Sequence, residues 1–170
     1  MEQKKIYLGK RRFIQEGIAM ADEFFNLASG DEYAAKILCE NHCYNQAAYF
    51  YIQSMEKYIK GYICQKINIT NKTYATMLRG LGHSLDEAVD LLIKIISGND
   101  ERLKQQTEYQ LKVVILRNVC FSVMYNAVRY PYYGKQQQYS ITDIGSEDCK
   151  ILEEIYGGLK NYLKQLSVML

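Results

Sequence analysis

A single proline, Pro131, stands in 170 residues. Proline lacks a backbone N–H and its ring clashes with the preceding helical turn, so a chain this poor in it is free to run in long helices. The apolar pattern agrees. Between 44 and 65 it falls at Tyr44, Ala48, Ile52, Met55, Ile59 and Tyr62, steps of three and four that keep one helical face apolar. Upstream, about 10–41 carries Phe13, Ile14, Ile18, Ala21, Phe24, Phe25 and Ala28, then Ala34, Ala35, Ile37, Leu38 and Cys39. Ser29-Gly30-Asp31 between the two sets predicts either one kinked helix or two. Residues 66–83 read as a connector, because Asn68, Thr70, Asn71 and Thr73 are poor helix formers and Gly80 and Gly82 follow.

Ser84-Leu85-Asp86-Glu87 is a capping box, in which the Ser84 hydroxyl and the Glu87 carboxylate satisfy each other's free backbone N–H groups. It opens a helix carrying Leu85, Ala88, Val89, Leu92, Ile95 and Ile96 up to Gly98. A long helix is then expected from about Glu101 to Val128, with Val113, Leu116, Cys120, Val123, Met124 and Ala127 as its stripe and Pro131 as its stop. A polar, tyrosine-containing loop follows over 132–145. Ser146 is placed to cap a last helix whose stripe is Leu152, Ile155, Tyr156, Leu159, Leu163 and Leu166. None of these faces can be hidden by its own helix. The expected fold is therefore all-α, an up-down bundle of four to five helices.

At 48% hydrophobic and 24% charged residues the chain can bury a core, which excludes wholesale disorder. No apolar run approaches the roughly 20 residues of a membrane span. The charged start, Met1 to Lys5, has no apolar signal core behind it, and this predicts a cytoplasmic protein with no membrane role. A net charge of +2 supplies no global drive toward nucleic acid. Locally, Lys4, Lys5, Lys10, Arg11 and Arg12 face only Glu2, a pattern that suits a phosphate-binding arm or a solvated tail.

The five cysteines are odd in number and scattered, as expected of reduced thiols packed in a core. Cys39, His42 and Cys43 share a helical spacing, but a structural zinc takes four ligands and no fourth is near in sequence. No metal site is expected. A P-loop, a dinucleotide fingerprint and a Ser-His-Asp arrangement are all missing from the sequence, so no cofactor is implied.

Three stretches together resemble the HEPN family of small helical domains. The first runs from Ala47-Ala48-Tyr49-Phe50 through Gln53 and Glu56-Lys57 to Lys60 and is similar to that family's second helix. The second, Gly82-His83-Ser84-Leu85, is similar to the opening of its third helix. The third, Arg129-Tyr130-Pro131, resembles an Arg-Tyr-Pro near its C-terminus. The resemblance implies a HEPN-like bundle over residues 22–134, flanked by a basic N-terminal extension (1–21) and by a loop and C-terminal helix (135–170). It further implies a homodimer that binds nucleotide or RNA, partnered with a minimal nucleotidyltransferase in a toxin–antitoxin or defence unit.

Some members of that family are ribonucleases that use an Arg and a His four to six residues apart. The His serves as acid and base at the 2′-hydroxyl and the Arg stabilises phosphate charge. The corresponding stretch here is Arg117-Asn118-Val119-Cys120-Phe121-Ser122-Val123-Met124-Tyr125, with no imidazole where one is needed. The reading therefore leans away from an enzyme, and no catalytic residue is assigned.

Each binding candidate has a bland alternative. Glu56, Lys57 and Lys60 suit a phosphate contact, or else a surface ion pair. His83 suits a phosphate, a base or the Glu56 carboxylate, or else the backbone at a helix start. Arg79 suits an anion, and Arg117 the phosphate of an atypical ribonuclease. Arg129, Tyr130 and Tyr132, with Tyr133, combine a forked cation with rings that stack on bases. Alternatively Arg129 caps helix carbonyls and Tyr130 packs inward. Besides a non-catalytic binder and regulator, two readings remain open: an atypical ribonuclease using Arg117, His83 or Arg129, and a pure protein-interaction bundle.

Overall fold

A computed structural model describes residues 8–10, 12–14, 17–67, 71–134 and 137–169. The fold is all-α. Helices α1 (Gly17–Glu40) and α2 (Tyr44–Lys66) form a long antiparallel pair, followed by α3 (Lys72–Gly80), α4 (Leu85–Ser97) and α5 (Glu101–Glu108). A π-helical turn (Tyr109–Ile115) extends α5 and leads to α6 (Phe121–Ala127). A small hairpin, β1 (Tyr132–Tyr133) and β2 (Tyr139–Ser140), precedes α7 (Ser146–Met169).

The second helix is the axis of the molecule. It packs on α1, α4, α6 and α7, and Ile52, Met55, Ile59 and Ile63 meet Leu85, Leu92, Phe121, Ile155 and Leu159 in one core. Burial of such aliphatic side chains contributes about 1.5–3 kcal/mol each. The α1–α2 contact is close because Gly61 faces the Phe25 ring, where a Cβ would stand 2.8 Å from a ring carbon. Nearby, the buried Ser54 hydroxyl donates to the Ala28 carbonyl across 2.7 Å.

Four sequence expectations change. The first helix runs unbroken through Ser29-Gly30-Asp31. Gly30 is exposed with open space around it, so it costs only the propensity difference of about 1 kcal/mol relative to Ala. The apolar set of this segment is also wider than its packed face, for Phe13, Ile14, Ile18 and Ile37 are exposed.

The 66–83 connector contains α3, because Asn71 serves as its N-cap and accepts from the Thr73 N–H at 2.9 Å. The expected helix from 101 to 128 is broken. The π turn gives way to Arg117 and Asn118, both at positive φ (54° and 56°), and the chain turns into α6. This turn lets Leu111, Leu116 and Phe121 all reach the core, while Val113, Cys120 and Val123, expected in the same stripe, face solvent.

Ser146 is the first helical residue of α7 and not its cap. The Asp148 carboxylate reaches back to the Gly145 N–H (2.8 Å) and satisfies that end. No helix of the described residues is long and apolar enough to cross a membrane.

Candidate functional site

Residues 49, 53, 56 and 60 of α2 step by four, three and four, so Tyr49, Gln53, Glu56 and Lys60 lie in one row along the helix. Glu56 and Lys60 are 2% and 6% exposed, where the sequence suggested an open phosphate contact or a surface pair. The α3–α4 turn folds across them. The Lys60 ammonium donates to Glu56 Oε1 (2.5 Å) and to the Gly82 carbonyl (2.5 Å), while Gln53 Nε2 donates to Glu56 Oε2 (3.1 Å). Gly82 has φ 54°, a conformation natural to glycine. Lys60 is thus a latch that joins the α3–α4 turn to α2, and its charge is met inside the protein.

The latch positions His83. Its side chain is 71% exposed, and Nδ1 stands 3.7 Å from Glu56 Oε2. That separation is longer than a hydrogen bond but within ion-pair reach of a protonated ring. A buried carboxylate on one side of the imidazole leaves the other side open to solvent.

At the other end of the row, the Arg129 guanidinium lies over three rings, at 5.2 Å from the centre of Tyr49, 4.8 Å from Tyr125 and 4.8 Å from Tyr130. It also donates to the Tyr130 hydroxyl at 2.8 Å. Cation–π contact of this kind pre-sets the direction of a forked donor. The two ends are electrically connected. Burial first, then a hydrogen bond with Tyr49, push the Tyr125 phenol above its ordinary pKa; Arg129 opposes this and the Glu56 charge reinforces it.

Tyr130 does not pack inward; it is 58% exposed. It borders a cleft of about 290 Å³ lined by Asn45, Gln46, Tyr49 and Arg129. It also borders a second cleft of about 450 Å³ on its other side, lined by Ser122, Asn126, Pro131, Tyr132 and Ser140. Tyr132 therefore belongs to the same end of the molecule.

The other candidates lie apart. Lys57 is turned toward α1 and pairs with Asp31. Arg117 pairs with Glu154 of α7 at 2.8 Å. Arg79 is exposed at the end of α3. So the structure places Glu56, Lys60 and His83 at one end of the row and Arg129, Tyr130 and Tyr132 at the other, and Lys57, Arg79 and Arg117 belong to neither group. Of the basic extension, Arg12 is ion-paired with Glu23 (3.0 Å), whereas Lys4, Lys5 and Arg11 lie outside the described residues.

Three neighbouring residues, Tyr49, Gln53 and Tyr125, were not among the binding candidates read from the sequence. Tyr49 and Gln53 carried a usable signal in their spacing from Glu56. Tyr125 carried none, since only the break before α6 brings it to Tyr49.

The Cys39, His42 and Cys43 set does not form a ligand group. His42 has φ 59° and its Nδ1 meets the Tyr44 hydroxyl at 2.7 Å, while Cys39 is half-buried against the core. Among the described residues no group of three His, Cys, Asp or Glu side chains could hold a metal ion. Cys43 and Cys120 are exposed, unlike the core thiols expected. Comparison of the chain with protein-family models, with curated proteins and with solved structures finds no match in any of the three.

Proposed function

We propose that this chain is a HEPN-like nucleotide- or RNA-binding bundle without chemistry of its own, acting in the cytoplasm as partner or regulator of a minimal nucleotidyltransferase. The observation that carries the binding reading is Arg129, held on three tyrosine rings at the mouth of an open cleft. A guanidinium pairs with phosphate oxygens through two parallel N–H groups, and phenol rings stack on bases. Lys60 contributes indirectly, by fixing the turn that carries His83. A homodimer accords with the exposed apolar residues of α1, Ile18, Leu27, Tyr33 and Ile37. Light scattering that shows a monomer at micromolar concentration would remove that part.

The test is thermal melting of the purified protein against a nucleotide panel and tRNA. A ligand selective for the folded state raises the melting temperature, and Arg129→Ala abolishes the rise. No shift with any nucleotide or RNA favours the protein-interaction bundle instead.

One observation favours a second reading, an atypical ribonuclease: exposed His83 beside the buried Glu56 carboxylate. Incubation with tRNA, with and without EDTA, decides it. Cleavage that survives EDTA and is lost in His83→Ala establishes the enzyme; intact RNA excludes it.

A further inference from the structure

We propose that the two clefts on either side of Tyr130 are adjoining base-stacking subsites, so that the ligand is single-stranded RNA presenting two successive unpaired bases. This rests on the RNA-binding reading above and narrows it, because a mononucleotide fills only one of them.

Tyr130 lines both clefts. Each offers a second ring, Tyr49 in the first and Tyr132 in the second. The hairpin register pairs Tyr132 with Ser140 and Tyr133 with Tyr139. Successive strand residues point to opposite faces, so Tyr132 and Ser140 line the cleft together while Tyr133 and Tyr139 form a tilted pair at 4.9 Å on the far face. The cleft-side ring is thus set by the backbone ladder.

The linings also select the ligand. Among the described residues, Arg129 is the single charged one lining the first cleft, and none lines the second. The remaining polar groups are amides and hydroxyls: Asn45, Gln46, Asn126, Ser122 and Ser140. Such groups read the edges of unpaired bases, whose faces stack on aromatic rings. A phosphopeptide would gain one cation and little else. A duplex hides its base faces. With Arg129 bonded to the Tyr130 hydroxyl, the guanidinium is placed for the one phosphate that joins two neighbouring bases.

The experiment is fluorescence anisotropy of the intact chain with a fluorescein-labelled ten-nucleotide single-stranded RNA, with AMP and the matching duplex as competitors. The single strand binds the wild-type protein, and AMP and duplex compete at least about ten-fold more weakly than unlabelled single strand. Tyr132→Ala weakens single-strand binding about five- to hundred-fold, the loss of one stacked base, while Tyr132→Phe restores it. Ile141→Ala, exposed just beyond the hairpin and lining neither cleft, is the control and leaves binding unchanged. The inference is overturned if AMP competes as well as the oligomer, if Tyr132→Ala binds like wild type, or if Ile141→Ala is as damaging. In those outcomes Arg129→Ala still abolishes binding and the broader reading stands. If the wild-type protein binds neither RNA nor AMP, the broader reading fails and takes this one with it.

Discussion

Lys60 shows how burial changes the meaning of a residue. On an exposed helix an i,i+4 pair with Glu56 is worth about 0.3–0.5 kcal/mol. Inside the bundle both charges are desolvated, and removing one strands the other. Lys60→Met should therefore cost about 3–5 kcal/mol, read from the urea midpoint. Adding Glu56→Gln should recover a substantial part of the loss, because the orphaned carboxylate is gone. A cost below about 1 kcal/mol for Lys60→Met would show that the latch is solvated. The i,i+4 spacing was plain in the sequence. The partner that buries the pair, the Gly82 carbonyl 22 residues away, was not, since a loop carbonyl has no residue-type signature.

At the scale of elements, α7 is tied to α1 by charge, while its apolar face packs on α2. Lys160 donates to both Glu32 oxygens at 2.9 Å, and Lys36 pairs with Glu32 (3.0 Å) and Glu153 (3.5 Å). Burial pushes the Glu32 carboxyl up, but the hydrogen bonds from Lys160 and Lys36 outweigh it and hold the pKa below the ordinary 4.5. A carboxyl whose folded pKa is depressed stabilises the fold above its unfolded pKa and loses that contribution as pH falls through the folded value. Glu32→Gln should thus melt below wild type at pH 7, and the gap should narrow as the pH falls below 4.5 through the depressed folded value. A gap that does not narrow in acid would assign it to packing.

Helix identity was largely legible in the sequence, because apolar period and the Ser84 cap are local. The hydroxyl of Ser84 does accept from the Glu87 N–H (3.2 Å). The break at 116–120 was not legible, because no proline or glycine marks it and two residues other than glycine adopt the left-handed conformation there. Competition among Leu111, Leu116 and Phe121 for one core outweighed local propensity.

For the whole molecule, the thiols report whether the bundle opens as one unit. Cys64 on α2 and Cys149 on α7 are buried, and burial pushes them to about 11 and about 12, the second helped by Cys39 beside it. A thiol that is neither ionised nor exposed reacts only after opening. With a disulfide reagent at pH 8, Cys43 and Cys120 should label quickly, and Cys64 and Cys149 slowly and together, at a rate that tracks global unfolding. Faster labelling of Cys149 would show α7 detaching alone.

By itself the sequence determined the helical class and the place of α2, α4 and α7, because periodicity and side-chain chemistry are properties of a short segment. Which candidates share a site was decided by tertiary structure alone. Lys57 and Lys60 are three residues apart, yet one is paired with α1 and the other locks a turn. Tyr49 and Arg129 are 80 positions apart and in contact. Packing brings distant segments together by burying their apolar faces, and that long-range term leaves no trace in any local window.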